Sequence, residues 1–286
     1  MEEKQDATIH LHGKLPTLTA PFNMYKSVKN YKQLVKHFIS RDLKIRYHNS
    51  IIGYGWSILE PLALTFTFYI LFAILSNDDS DQYRPLTILL GLLAWSLFGK
   101  TLLYCTTSLQ KNSSLIKSVF FPRELFLFSK VGYQIIQFSL SIIVIIPLLY
   151  VYDLVPNHRI FYLPVAIIFI SLFTLGLSFF TAILQTIARD VEHIVSIIIR
   201  IGFYLTPVFY PLSMITGGRI PEKYTTIYLI VNPMATYITM IRSSFTGESL
   251  GISNESLAIT LTSTILLFWI GSIYFLRNER KAVKRI

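Results

Sequence analysis

The stretch RDLKIRYHNSIIGYGWSILEP, residues 41–61, decides how the chain is read. It opens with a basic run, Arg41, Lys44 and Arg46. It ends inside an apolar segment that carries Glu60 and Pro61 in its first turns. Just upstream, VKNYKQLVKHFIS (28–40) is amphipathic as a helix. Val28, Tyr31, Leu34, Val35, Phe38 and Ile39 share one face, and Lys29, Lys32 and Lys36 lie elsewhere. Such a helix lies in the plane of a membrane interface, apolar face down, with its lysines at the lipid headgroups. HNSIIGYG (48–55) then has the Asn, Ser and Gly of a break. There the chain turns from lying on the membrane to crossing it. Pro61 comes too late to be the first helical residue and kinks the span. Glu60 sits near the inner interface, within reach of the basic collar. Two readings of it stay open: a carboxylate snorkelling along lipid, or a group facing the bundle interior or a wet cavity.

Composition supports the membrane reading. Of 286 residues, 52% are hydrophobic and 15% charged, where a soluble domain has roughly a quarter charged. The net charge of +10 sits in short clusters beside apolar runs. That pattern fits topology signals rather than a nucleic-acid footprint. Cys105, a single cysteine, excludes an internal disulfide framework. Residues 1–25 carry both charge signs, two prolines and no apolar core. They read as a polar cytoplasmic tail, not a signal peptide.

A helix crosses the bilayer core with about 20 apolar residues. Six stretches qualify: Trp56–Leu75, Leu86–Cys105, Val131–Tyr152, Phe161–Ile187, Ile194–Ile215 and Leu257–Leu276. Lys and Arg crowd the segment before the first, the loop after the second and the C-terminal tail. The loop SNDDSDQYR (76–84) is acidic. Both termini are therefore expected in the cytoplasm of a multi-pass inner-membrane protein. Residues 216–256 are too polar for a span and too apolar for a free loop. Asn232-Pro233 divides them into two half-length pieces. Pieces of that length suggest re-entrant half-helices on the outer side; a hairpin lying on the outer leaflet is the competing reading. The expected fold is thus an all-α polytopic protein: an interfacial helix (26–50), then a six-span domain (51–286).

Lys100 and Arg200 fall in cytoplasmic halves of spans, as in a wet inner vestibule. No acid falls near the midplane, where a proton relay or ion-coupled carrier needs one. GxxxxGK[ST], HExxH, paired-Cys and GxSxG motifs are all missing from the sequence. No metal site or catalytic residue is expected. The economical inference is a conduit driven by another chain, which requires a cytoplasmic docking surface. Residues 107–126, TSLQKNSSLIKSVFFPRELF, suit that role, with Leu115, Phe121, Pro122, Arg123 and Glu124 as candidates. The tight turn ARDVEHI (188–194), with Arg189 and Asp190, is the second candidate. An ordinary interfacial loop is the plain alternative for either.

RDLKIRYHNSIIGYGWSILEPL, LIKSVFFPRELF, ARDVEHIV, LTPVFYPLSMI and VNPMATYITMIRSSFTG occur in this order at suitable spacing. Together they resemble the permease subunit of type-2 ABC exporters of cell-surface polysaccharide, which serve O-antigen, capsule and teichoic acid polymers. The similarity covers roughly residues 28–280. It implies a homodimer bound to two copies of a separate ATPase, which holds the ATP and Mg; no cofactor belongs to this chain. It implies a polymer on an undecaprenyl-type lipid, passing through a channel at the dimer interface. Arg41, Lys44, Arg46 and Glu60 are then candidates for the substrate entrance. Phe66, Tyr69, Trp95, Phe98 and Tyr204 are candidate channel-lining aromatics, because stacking faces hold sugars weakly at many registers. Pro207, Pro211, Asn232 and Pro233 are candidates for an outer gate. Two other functions compete: a type-2 exporter of drugs or small lipids, and a membrane enzyme acting on lipid-linked sugars. The latter needs acid clusters at a membrane face, and the one acid-rich loop, with Asp78, Asp79 and Asp81, is short and external.

Overall fold

A computed structural model describes residues 18–48, 50–75, 83–155, 157–216 and 222–285. Every regular element among the described residues is helical. In chain order they are α1 (Ala20–Asn30), α2 (Lys32–Tyr47), α3 (Trp56–Leu75), α4 (Arg84–Lys111), α5 (Ser113–Ser118), α6 (Glu124–Ile142) and α7 (Ile145–Val151). They continue with α8 (Tyr162–Ile187), α9 (Val191–Leu205), α10 (Ser213–Thr216), α11 (Glu222–Val231), α12 (Pro233–Thr246) and α13 (Asn254–Val283). Short 3₁₀ turns at Gly53–Gly55 and His158–Phe161 lead into α3 and α8.

Four helical stretches are long and apolar enough to cross a membrane: Arg84–Lys111, Glu124–Val151, His158–Ile187 and Asn254–Val283. They contain four of the expected spans. α3 has the bounds expected of the first. The fifth differs. Instead of running to Ile215, α9 is 15 residues long and stops at Leu205. Thr206 is extended, as the residue before a proline prefers, and Pro207 cannot continue the hydrogen-bond ladder. Pro147 acts similarly within the third. Its ring would clash with the Ile143 carbonyl of a continuous helix, and the chain turns between α6 and α7. The break at Asn232-Pro233 falls as expected: α12 opens with Pro233 in its first turn.

Two expectations at the N-terminus need correction. Helix starts at Ala20, inside the stretch read as a polar tail, with Pro21 in its first turn and Ala20 and Met24 fully buried. Residues 1–17 of that tail lie outside the described residues. The apolar face of 28–40 also meets protein rather than lipid. Phe38 is buried and stacks on Phe126 of α6 at 4.9 Å, with Phe121 at 6.0 Å; Val28, Tyr31, Leu34 and Val35 pack around the same cluster. An apolar stripe looks alike whether α6 or lipid covers it, and here α6 does.

α4 is the hub. Nearly all its side chains from Leu86 to Leu109 are buried, against α3, α6, α8, α9 and α12. α8 and α13 make the closest helix pair. A Cβ added to Gly271 would stand 2.6 Å from the Gly176 carbonyl oxygen, so the bare backbone sets the separation, as small residues do between helices in membranes. Gly271→Leu should force the pair apart and cost roughly 1–3 kcal/mol. A thermal unfolding curve in detergent that matches the parent chain would refute this.

Candidate functional site

Where α2 ends at Tyr47, the chain folds back so that α3 starts beside α2, α4 and α6. Three charges meet there. Glu60 accepts from Lys100 Nζ at 2.7 Å, and its other oxygen lies 3.6 Å from the Arg46 guanidinium. Arg46 also donates to the Tyr133 hydroxyl at 3.3 Å. Behind this triad, Tyr47 and Ser57 each donate to Gln137 Oε1 at 2.6 Å, and Ser141 donates to the Ser57 carbonyl at 2.7 Å. Gln137 Nε2 and Gln134 Oε1 are buried without a hydrogen-bond partner among the described residues. A small cavity of about 30 Å³, with Arg46, Glu60, Lys100, Gln134 and Gln137 in its lining, separates the layers. Glu60 also borders an open groove with Trp56, Leu59 and Leu64. Glu60 thus faces a polar pocket and is paired there with Arg46 and Lys100.

Of the other entrance candidates, Lys44 is exposed and outside the triad. Arg41 is committed elsewhere. It pairs with Asp42 at 3.0 Å, donates to Asn112 Oδ1 at 3.3 Å and lies over the Phe38 ring. It ties α2 to the loop before α5 instead of lining an entrance.

The aromatic set divides. Phe66, Tyr69 and Tyr204 project from α3 and α9 as exposed rings. Trp95 and Phe98 are 9% and 7% exposed. Trp95 packs edge-on to Phe98 at 5.2 Å and to Phe203 at 6.1 Å; Phe98 stacks on Phe173 at 5.5 Å. These two belong to the core, a correction to their expected place on a channel wall. α4 is apolar on all sides, so its sequence has no periodicity that marks one face as open.

On the outer side the gate candidates converge. Asn232 Nδ2 donates to Thr206 Oγ1 at 2.8 Å and to the Tyr228 hydroxyl at 3.3 Å, and Tyr228 donates to the Leu205 carbonyl at 2.9 Å. The end of α9 is thereby fastened to the start of α12. Pro207 and Pro233 are buried at this junction and Pro211 is exposed. Arg242, from the far end of α12, donates to the carbonyls of Val208 (2.6 Å), Tyr210 (2.8 Å) and Thr87 (3.0 Å). The Val208 carbonyl can reach α4 because Gly91 has no side chain; a Cβ there would lie 1.9 Å from its oxygen.

The two cytoplasmic docking candidates are neighbours. Gln110 donates to the Gln185 carbonyl at 2.7 Å, Gln185 Nε2 returns to Gln110 Oε1 at 3.0 Å, and Gln185 Oε1 receives the Glu192 amide at 2.7 Å. The end of α4 is thus hooked to the turn that starts α9. Arg189 and Asp190 are exposed, Leu115 and Pro122 are half-buried, and Arg123 lies 4.0 Å from Glu279. Phe121 and Glu124 are buried, Glu124 completely. Glu124 is sealed from any docked protein and Phe121 shows only an edge to the cleft beside it, which corrects their reading as surface contacts. Phe120 and Val119 are the exposed apolar residues beside them.

The ABC-2 type transporter family description matches residues 33–246. The chain belongs to that family. It is 32% identical over 238 residues to an O-antigen export system permease protein, RfbA, of Klebsiella pneumoniae, covering 82% of this chain and 88% of the relative. It is 27% identical over 259 residues to the RfbA of Myxococcus xanthus, covering 91% and 98%. A more distant relative, the capsule polysaccharide export inner-membrane protein BexB of Haemophilus influenzae, is 21% identical over 258 residues, 88% of this chain and 93% of the relative.

Sequence reading placed Lys100 in this transporter's vestibule but not on Glu60, and it missed Arg242. A signal for the latter existed: an arginine in YITMIRSSF (237–245), an otherwise uncharged run, has the rarity that marks a functional or structural group at membrane depth. The two charged centres should differ in weight. Glu60 and Lys100 side chains are 42% and 35% exposed, so the pair contributes little, on the order of 1 kcal/mol or less. Arg242→Met removes hydrogen bonds from a charged donor to three carbonyls, worth about 1.5–3 kcal/mol each at most. Unfolding should therefore respond strongly to Arg242→Met and weakly to Glu60→Gln; equal shifts in the midpoint would contradict this account.

Proposed function

We propose that the chain is the transmembrane subunit of an ATP-driven exporter that moves lipid-linked polysaccharide, of the O-antigen, capsule or teichoic acid type, across the cytoplasmic membrane. The observation that carries this reading is the similarity, over most of both chains, to permeases named for O-antigen and capsule export. Two copies of the chain form the conduit, and each engages a separate ATPase that binds ATP and Mg. The subunit itself is no enzyme. Both termini lie in the cytoplasm, on the side where Lys and Arg accumulate. Arg189, Asp190, Leu115 and Val119 form the docking surface, with the Gln110–Gln185 hook joining its two parts.

In this reading Arg46 and Lys100 receive the phosphates of an undecaprenyl-type pyrophosphate carrier, and Glu60 is the counter-ion they leave. Phosphate oxygens satisfy a guanidinium and an ammonium as a carboxylate does. The exchange is cheap because the triad is half-exposed. Phe66, Tyr69 and Tyr204, exposed on α3 and α9, supply weak stacking faces to the polymer. Trp95 and Phe98 support them from the core. The open groove bordered by Arg46, Trp56 and Glu60 leads from the interface to the triad.

Surface polysaccharide measured per membrane-inserted permease tests this. Arg46→Glu replaces phosphate attraction with repulsion and should lower export at least roughly tenfold further than Arg46→Ala. If export follows the inserted amount in both variants, the basic residues only orient the chain, and the entrance role fails.

A further inference from the structure

A second charged cavity lies outside the triad, on the cytoplasmic face. It is a cleft of about 430 Å³ between α1, the segment Phe120–Arg123 and the last turns of α13. Glu279 lines it. That side chain is 5% exposed; one oxygen lies 4.0 Å from Arg123, and Oε2 has no hydrogen-bond partner among the described residues. The buried carboxyl of Glu124 interacts with it electrostatically, and the guanidiniums of Arg123 and Arg280 act on the same carboxyl. The mouth has the opposite sign: Lys26, Arg280 and Lys284 line the cleft and are exposed. Tyr31, Phe120 and Val283 supply apolar wall.

Depth narrows the occupant. The apolar part of α13 ends at Leu276. Glu279 follows by three residues, about 4–5 Å along the axis. The headgroup layer is roughly 5–7 Å thick on each side of the hydrocarbon core. The acidic floor therefore lies at headgroup level. A basic protein segment would meet a repelling mouth. A purely anionic headgroup would suit the mouth and leave Glu279 unanswered. A zwitterion with a phosphate and an N–H-bearing ammonium answers both.

We propose that this cleft binds the headgroup of an aminophospholipid, its primary ammonium at Glu279 and its phosphate at the Lys26, Arg280 and Lys284 mouth, clasping α1 to the end of α13. A choline headgroup keeps the charge but has no N–H to donate to Oε2, so the site discriminates between the two. The site is separate from the triad, and it stands whatever polymer is carried.

The test uses the purified full-length chain with phosphatidylethanolamine, phosphatidylcholine and phosphatidylglycerol of identical acyl chains. Retained lipid is counted by native mass spectrometry and stability by thermal unfolding. Phosphatidylethanolamine should be retained at one per chain and should raise the unfolding midpoint above that of the other two. Glu279→Gln should lower its preference over phosphatidylcholine by roughly tenfold or more, the loss of one charge-assisted bond. Lys26→Gln with Lys284→Gln, changes at exposed positions that leave the buried floor intact, should weaken retention of both lipids. Equal retention of all three lipids by the parent chain overturns the proposal. So does a preference that survives Glu279→Gln, or an equal effect of soluble phosphoethanolamine, which has no membrane anchor. A photo-crosslinker at Asn30 that captures the ATPase subunit, with lipid discrimination absent, gives the cleft to a protein instead.

Discussion

Arg242 answers the problem created when a helix stops inside a membrane protein. α9 ends at Leu205 because Pro207 forbids its continuation, and the carbonyls beyond it have no donors of their own ladder. In lipid such groups must be met from within the protein. One guanidinium meets Val208 and Tyr210 and extends to Thr87 at the start of α4. Two elements far apart in sequence, the 206–212 segment and the start of α4, are thereby fixed to one side chain of α12. The approach works only because Gly91 leaves room for the Val208 carbonyl. With that junction set, Asn232 can reach Thr206, and the outer ends of α9, α11 and α12 share one hydrogen-bonded knot.

The half around the basic collar is built differently. Its polar links join neighbours across single contacts: Arg41 to Asn112, Gln110 to Gln185, Arg46 and Lys100 to Glu60. Several of these groups are half-exposed, where water competes and the net worth of a pair is small. What holds this half is apolar instead. Phe38, Phe121 and Phe126 bury their rings together, and Phe179 and Phe275 join the same core.

Much of this was legible in the chain because its signals are local. Four span positions follow from runs of apolar residues, and the Asn232 break from one proline. The shortened α9 was legible too, since Pro207 and Pro211 stand in the open; a run of hydrophobicity long enough for a span outweighed them. The remainder depends on direction and distance. Nothing in the amphipathic stripe of 28–40 says whether protein or lipid covers it, because both are apolar. Nothing in α4, whose apolar residues fall on every side, says that Trp95 and Phe98 turn inward. Lys100 and Glu60 are 40 residues apart, and only the packing of α3 on α4 joins them.

The difference between the two halves bears on how the transporter can work. A ligand that enters from the inner side has to displace what already satisfies the charges there. At the triad that displacement trades one anion for another, with Glu60 free to turn towards water because it is already 42% exposed. At the outer knot a comparable displacement would part three carbonyls from the guanidinium that meets them, each loss costing about 1–3 kcal/mol. Binding energy on the scale of a phosphate contact suffices for the first and not for the second. The knot around Arg242 is therefore the costlier of the two to break. α9 joins the Gln110–Gln185 hook to the Asn232 knot, since its first turn is held by Gln185 and its last by Asn232 and Tyr228.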